Sequence, residues 1–164
     1  MTSIGASPTA ERRTVAIDLR EDWPAALREA GFDASQPTAW LAEGLLIYLP
    51  PEAQDRLFDL ITELSAPGST ITTEFAPGIL DFDSEKVREQ SRPLRELGLD
   101  IDMSALVYAG ERTPVMDYLR GRGWQVSDIS RSDLFTLYDR NLPTGPDSTD
   151  PLGEIIYVSA RLGQ

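Results

Sequence analysis

The chain has 164 residues, 41% of them hydrophobic and 26% charged, which is typical of one globular domain and not of a disordered chain. Its net charge of −12 disfavours nucleic acid and anionic membranes as partners, because no cluster of basic residues offsets it. The absence of cysteine and histidine excludes disulfide frameworks, thiolate metal sites, Ser-His-Asp and Cys-His catalysis and zinc-hydrolase chemistry.

The N-terminus, "MTSIGASPTAERR", has no apolar signal-peptide core, and no stretch approaches the ~18 consecutive apolar residues that a membrane span needs. We therefore expect a cytoplasmic protein. Residues 1–11 are small and polar and are expected to form an N-terminal tail, followed by one domain over residues 12–164. The β-branched run at residues 15–17, closed by Asp18, predicts a first buried strand.

A helix is predicted in "DWPAALREAGF", with Pro24 in its first turn and Gly31 as its C-terminal glycine cap. A second strand, "TAWLAEGLLIYL", leads into the helix "PPEAQDRLFDLITELS", which Pro67 and Gly68 end. The apolar positions that give this helix its spacing are Ala53, Leu57, Leu60, Ile61 and Leu64. "STITTEFA" predicts a third strand.

Periodicity weakens over residues 77–110, which contain Pro93 and are interpreted as an insertion covering one end of the sheet. A helix is then predicted in "RTPVMDYLRGRGW", with Thr113 as N-cap and Pro114 at its first position. "WQVSDIS" and "EIIYVSARL" predict the last two strands, separated by the helix "SDLFTLYDR" and the loop "NLPTGPDSTDP".

This alternation predicts an α/β fold with a mostly parallel sheet. Ligands of such sheets bind beyond the carboxyl ends of the strands, where Asp18, Glu43 and Glu74 are expected to lie. A carboxylate such as Glu43 at the end of an apolar strand is costly to bury, so we expect it at the mouth of a cleft.

The motifs "VAIDLREDWPAALREAGFD", "PTAWLAEGLLIYLPPEAQDRLFDLI" and "LGLDIDMSALVYAGERTPVMDYLRGRGW" resemble the leucine carboxyl methyltransferase-like family, in particular its bacterial O-methyltransferases. The resemblance covers nearly the whole chain from Glu11 onward. It implies a Rossmann-like methyltransferase fold with a final antiparallel strand, S-adenosyl-L-methionine as cofactor, and a small-molecule acceptor. "TVAIDLR" would be the third strand of the family's sheet, "TAWLAEGLLIYL" the fourth and "STITTEFA" the fifth.

The resemblance implies that Asp18 and Leu19 contact the cofactor's adenine, and that Glu43 and Gly44 lie beside the methyl donor. A carboxylate can accept the adenine amino group, and glycine lets the backbone approach a ligand closely. The alternatives are that Asp18 is a turn or capping residue and that Glu43 caps a local backbone turn. No catalytic residue is assigned, because direct displacement from a sulfonium mainly needs alignment of donor and acceptor.

Two weaker substrate-binding candidates are Tyr48, whose alternative is packing, and Arg112, whose alternative is a structural salt bridge. The acidic run at residues 81–85 has the composition of an octahedral-cation site, but a solvated loop is the preferred interpretation and the family needs no metal.

Compared with the family, the chain lacks the first two strand–helix units, including the glycine-rich turn "GxGxDT" for the methionine part of the cofactor and the acidic residue for its ribose. We therefore expect impaired catalysis and an exposed sheet edge on "TAWLAEGLLIYL" that favours self-association. The alternative function is a non-catalytic interaction module that assembles with itself or with an upstream half. A nucleotide-binding regulator has only the fold in its favour.

Overall fold

The structure is a computed structural model in which residues 9–79, 105–142 and 154–163 are described. The chain separates into two compact units, Met1–Ala34 and Ser35–Gln164. In the described residues, no helix is long and apolar enough to cross a membrane. Pro93 and most of the predicted insertion lie outside the described residues, as do most of the predicted tail and most of the last loop. The boundaries 1–11, 12–164 and 77–110 stay predictions.

The first unit contains the helix α1, Trp23–Glu29. Asp22 caps it by accepting a hydrogen bond from the backbone N–H of Ala25 at 3.1 Å, and Pro24 lies in its first turn. Gly31 ends the helix with φ +92°, a left-handed conformation that favours glycine. The predicted helix, its proline and its glycine cap are confirmed.

The strand predicted at residues 15–17 is wrong, because residues 11–18 are assigned to no strand. Their exposure alternates as in an extended chain: Val15 and Ile17 are half-buried and Ala16 is exposed. A strand requires a neighbouring backbone with which to form its hydrogen-bond ladder, and no described residue pairs with this segment.

In the second unit the described residues form a four-stranded sheet with the order β1-β2-β4-β3. The strands are β1 (Ala39–Ala42), β2 (Thr70–Phe75), β3 (Trp124–Ser130) and β4 (Ile156–Leu162). β1 pairs with β2 in parallel, while β4 is antiparallel to both β2 and β3. Three strands therefore share one direction, and the final strand runs against them, as predicted.

The helices of this unit are α2 (Pro51–Glu63), α3 (Val115–Gly121) and α4 (Arg131–Leu137), with 3₁₀ turns at Leu46–Tyr48 and Pro77–Ile79. All three α-helices were predicted. The N-cap of α3 is Pro114 and not Thr113, because the backbone at Pro114 is still extended, with ψ 134°. The second predicted strand is shorter than expected, because Gly44 turns the chain with φ +62° soon after β1 ends.

Two tryptophan hydrogen bonds hold α2 against the sheet. Trp40 Nε1 in β1 donates to Ser65 Oγ just beyond α2, and Trp124 Nε1 in β3 donates to Thr62 Oγ1, both at 2.9 Å. The buried face of α2 carries Gln54, Leu57, Phe58 and Ile61. The predicted face was partly wrong, because Ala53 and Leu60 are only half-buried while Gln54 is fully buried.

The buried residues of β2 and β4 complete the core with those of α2 and α3. In β2 alternate residues are buried, namely Ile71, Thr73 and Phe75, so the buried face of the sheet is continuous along the strand. Val158 and Ala160 of β4 and Val115 and Leu119 of α3 are buried too. The result is the predicted mixed α/β fold.

Candidate functional site

The last residue of β1 and the turn that follows it are held by two side chains of β2. Thr73 Oγ1 donates to the carbonyl oxygen of Ala42 at 2.7 Å, and the backbone N–H of Gly44 donates to a carboxylate oxygen of Glu74. Both contacts are made at the carboxyl ends of two parallel strands, which is where ligands of α/β sheets bind.

Glu43 lies exposed between these two contacts. Its carboxylate forms no hydrogen bond or ion pair with the residues that the structure describes. The carboxylate that accepts the N–H of the turn belongs to Glu74, so the local capping role considered for Glu43 is carried by a different residue. Glu43 remains available to a ligand, and its role toward a cofactor stays a prediction.

Glu74 is the acidic residue of this site that is partly buried. Burial raises the pKa of its carboxyl, the hydrogen bond from Gly44 acts in the opposite direction, and the charge of Glu43 raises the pKa further. The charge of Glu43 therefore disfavours the ionised form of Glu74, and the hydrogen bond from Gly44 stabilises that form.

The side chain of Arg112 holds the 3₁₀ turn that follows Gly44. Its side chain is only 7% exposed, and its terminal nitrogens donate to the backbone carbonyls of Leu46 at 3.0 Å, Leu49 at 3.2 Å and Tyr108. Burial lowers the pKa of its guanidinium, and the charge of Asp55 opposes that effect. The guanidinium thus stabilises the 3₁₀ turn through hydrogen bonds to its backbone carbonyls, in a segment that belongs to no strand.

The salt bridge considered for Arg112 does not form within the described part of the chain, where its acceptors are neutral oxygens. Both terminal nitrogens of Arg112 donate to oxygens of the protein itself. Substrate binding by this side chain is not tested by these contacts and stays a prediction. Its Nε is buried without a hydrogen-bond partner among the described residues.

Gln54 was missed as a member of this network. Its Oε1 accepts from Arg112 at 3.2 Å, and its Nε2 donates to the carbonyl of Thr113 at 3.1 Å. The signal was present in the sequence, because Gln54, Leu57, Phe58 and Ile61 follow the i, i+3, i+4, i+7 spacing of one helix face. A glutamine on an apolar face requires buried partners.

Glu74, Gln54 and Arg112 line one small pocket together with apolar residues of the 3₁₀ turns and of β2. The pocket is partly open to solvent. The remaining lining residues are Leu46, Ile47, Phe75, Ala76 and Ile79.

Asp18 and Leu19 belong to the first unit, where they form a turn. The Asp18 carboxylate accepts hydrogen bonds from the backbone N–H of Arg20 at 2.9 Å and from its guanidinium at 2.9 and 2.6 Å, while its carbonyl accepts from Glu21 N. These contacts with Arg20 lower the pKa of Asp18 to about 2. Leu19 is 41% exposed.

The turn considered as the alternative for Asp18 is thus present, and cofactor contact by Asp18 and Leu19 stays a prediction. Asp18 and Glu43 fall in different units, so their expected meeting on one rim of the sheet also stays a prediction. Tyr48 is half-buried at the end of the first 3₁₀ turn, and its predicted contact with substrate is likewise untested.

No group of three or more acidic residues arranged to hold a metal ion occurs within residues 9–79, 105–142 and 154–163. The acidic run at residues 81–85 lies outside these ranges.

Comparison with known proteins gives a family model, relatives and a solved structure. The family model for leucine carboxyl methyltransferase matches residues 1–62. A protein of Mycolicibacterium vanbaalenii named "Putative S-adenosyl-L-methionine-dependent methyltransferase" is 69% identical over 164 residues, which is 100% of this chain and 54% of that protein. A protein of Mycobacterium avium with the same name is 65% identical over 160 residues, covering 98% of this chain and 52% of that protein.

A solved structure of human N-acetylserotonin methyltransferase in complex with SAM matches with a TM-score of 0.39 and 15% identity, over 81% of this chain and 32% of that one. A similarity of that size says nothing about the site. The chain spans about half the length of the curated relatives it matches. The family model confirms the predicted resemblance over the first two motifs, and the two relatives match the chain along all or nearly all of its length.

Proposed function

This chain is homologous along its whole length to proteins named as methyltransferases. On that premise, we propose that it functions in methyl transfer that depends on S-adenosyl-L-methionine. The reaction would transfer a methyl group to an oxygen or a carboxylate of a small-molecule acceptor. The observation that carries the proposal is the 69% identity over all 164 residues, since so long a match covers every described element of the fold. A cytoplasmic location remains a prediction from the sequence.

The residues at the end of β1 are suited to such a cofactor. Apart from its chain neighbours, no atom of the described residues lies within 4 Å of the position where a side chain of Gly44 would begin, so a ligand can approach the backbone. The exposed carboxylate of Glu43 can accept hydrogen bonds, and a cluster of negative charge favours a cationic donor. Asp18 and Leu19 are assigned to the adenine by the family resemblance.

When bound, the cofactor would supply a methyl group activated by its sulfonium. An acceptor oxygen would attack that methyl carbon, forming an O–C bond while the S–C bond breaks and the thioether leaves. The protein then has to hold the donor and the acceptor in line, which needs neither histidine nor cysteine. Glu43 and Gly44 would orient the donor, while Tyr48 and Arg112 are the weaker candidates for the acceptor side.

The experiment is a titration of the ¹⁵N-labelled full chain with S-adenosyl-L-methionine, followed by NMR. We expect binding weaker than micromolar, because the chain has about half the length of its relatives, with amide shifts concentrated at residues 18–19 and 43–44. Glu43→Gln and Asp18→Asn should each weaken binding several-fold, whereas Glu63→Gln, an exposed glutamate at the end of α2, should leave it unchanged. Absence of any shift, or shifts only elsewhere, contradicts the proposal.

We also propose that copies of this chain associate with each other through the edge of the sheet. Within the described residues, β1 pairs with β2 on one side and has no neighbour on the other. Leu41 in this strand is 70% exposed, so the free edge carries an apolar side chain. A second chain would cover both the unpaired backbone groups and this side chain.

A further inference from the structure

The contact between Glu74 and Gly44 has a feature that the proposed reaction does not explain. Glu74 and Thr73 are consecutive in β2, and consecutive strand residues point to opposite faces of a sheet. Thr73 nevertheless contacts the last residue of β1, through the carbonyl of Ala42, and Glu74 contacts the turn after it, through the N–H of Gly44. The backbone around Glu43 is thereby held from both faces.

The two contacts differ in their chemistry. A threonine hydroxyl donates the same hydrogen bond at every pH, whereas a carboxyl group accepts strongly only when it is ionised. Gly44 also has φ +62°, a conformation that glycine can leave for many others once it is released. The conformation beside Glu43 therefore depends on one ionisable group.

The charged and titratable groups around Glu74 come from three directions. Glu43 lies on the segment after β1 and disfavours the ionised form, Arg112 lines the same pocket, and Tyr157 of β4 stands opposite Glu74 in the strand register. Burial, the larger influence, also raises the pKa of Glu74, and the hydrogen bond from Gly44 opposes the shift. The net effect raises the pKa of Glu74. The carboxyl group therefore loses its charge, and the strong hydrogen bond to Gly44, at a higher pH than an exposed glutamate would.

We propose that Glu74 is a positioning residue, whose ionised carboxylate fixes the backbone of Gly44 and thereby the placement of Glu43 at the end of β1. The assignment of this place to a methyl donor rests on the proposed function, whereas the contact and its dependence on ionisation do not. Protonation or neutralisation of Glu74 releases the segment while β1 and β2 remain paired.

The first experiment needs no ligand. In the full ¹⁵N-labelled chain, the Gly44 amide proton should shift with pH, with a midpoint above the ordinary glutamate value of 4.5. Glu74→Gln should abolish this titration and lower the backbone order parameters of residues 43–45 from about 0.85 toward 0.6. Glu43→Gln is the matched control, because it removes the neighbouring carboxylate but not the contact, and it should keep the titration.

Two results would overturn the inference: a Gly44 titration that survives Glu74→Gln, or order parameters of residues 43–45 that do not change in that variant. Unchanged amide shifts in the rest of β2 and in β4 show that the variant is folded. The titration of the unsubstituted chain tests the contact even where a variant fails to fold, because a Gly44 amide that does not respond to pH already contradicts it.

The second experiment compares S-adenosyl-L-methionine binding by the unsubstituted chain and by Glu74→Gln at pH 5 and pH 8. We expect the variant to bind roughly fivefold more weakly at pH 8 and to lose the pH dependence of the unsubstituted chain, since a neutral acceptor holds Gly44 less firmly. If the unsubstituted chain binds no cofactor, the proposed function fails, and the Gly44 titration still decides the positioning role.

Discussion

Arg112 donates to the backbone carbonyl of Leu46 across 66 residues of sequence, at 3.0 Å, and so holds the 3₁₀ turn that follows the proposed cofactor segment. The same guanidinium reaches the carbonyls of Leu49 and Tyr108 and the side chain of Gln54. Since these acceptors belong to three separate parts of the chain, one buried side chain fixes their relative positions within the second unit. Removing the donor of a buried carbonyl destabilises the folded state, unless water takes the place of that donor.

We predict that Arg112→Ala lowers the free energy of unfolding by about 3 kcal/mol, because it leaves several buried acceptors without donors. Urea denaturation monitored by tryptophan fluorescence measures the change. The matched control is Arg120→Ala, which removes an arginine that is 49% exposed and paired with Asp117 and Asp128, and should cost less than about 1 kcal/mol. Equal losses in the two variants would show that the buried contacts add nothing.

The elements that the sequence predicted correctly have local signals. Pro24 and Gly31 mark the two ends of α1 by their own backbone preferences, and the alternation of β2 is visible in "TITTEF". The strand at residues 15–17 failed for the opposite reason, because a strand exists only with a partner and a short apolar run does not specify one.

The support of the site could not be predicted for a related reason. The acceptors of Arg112 are backbone carbonyls, which every residue has, so no residue type marks them in advance. The capping of Gly44 by Glu74 rather than by Glu43 likewise depends on the pairing of β1 with β2. Only Gln54 carried a readable signal, through its place on the buried face of α2.

A second prediction concerns Gly44, whose φ of +62° is a left-handed conformation. Gly44→Ala should lower the free energy of unfolding by about 1 kcal/mol through backbone strain, since no atom in the described part of the chain, its neighbours apart, lies within 4 Å of the added Cβ. Gly121→Ala is the control, because this glycine is the last residue of α3 and also has open space around it. That variant should be neutral or stabilised by up to ~1 kcal/mol, as measured by thermal unfolding. A gain in stability at Gly44 would contradict the strain argument.

A third prediction follows from the pKa of Asp18. Its value falls from the ordinary 3.8 to about 2 because Arg20 binds the carboxylate, so the ionised form persists into acid. A depressed pKa in the folded state contributes stability above pH 3.8, and this contribution is lost as the pH falls toward 2. NMR titration of the Asp18 carboxyl carbon measures the midpoint directly.

Arg20→Ala should return that midpoint toward 3.8, because both the side-chain hydrogen bonds and the opposite charge are removed. Arg28→Ala is the control in the same unit: it removes a basic residue in the last turn of α1 and should leave the Asp18 titration as it is. A midpoint that stays near 2 without Arg20 would mean that another group stabilises the carboxylate.

The last prediction concerns the free edge of β1, where an exposed leucine lies beside backbone groups that no described strand pairs with. If self-association uses this edge, Leu41→Lys should reduce it, because a charge on an edge strand opposes the addition of a further strand. Leu137→Lys is the matched control: Leu137 is 68% exposed, so the same change of polarity is made on α4, away from the edge. Sedimentation velocity over a range of concentrations should show the unsubstituted chain and the control associating, and Leu41→Lys sedimenting as a monomer. A monomeric unsubstituted chain at every concentration would remove the edge as an interface, and equal loss in both variants would assign the association to general hydrophobicity of the surface.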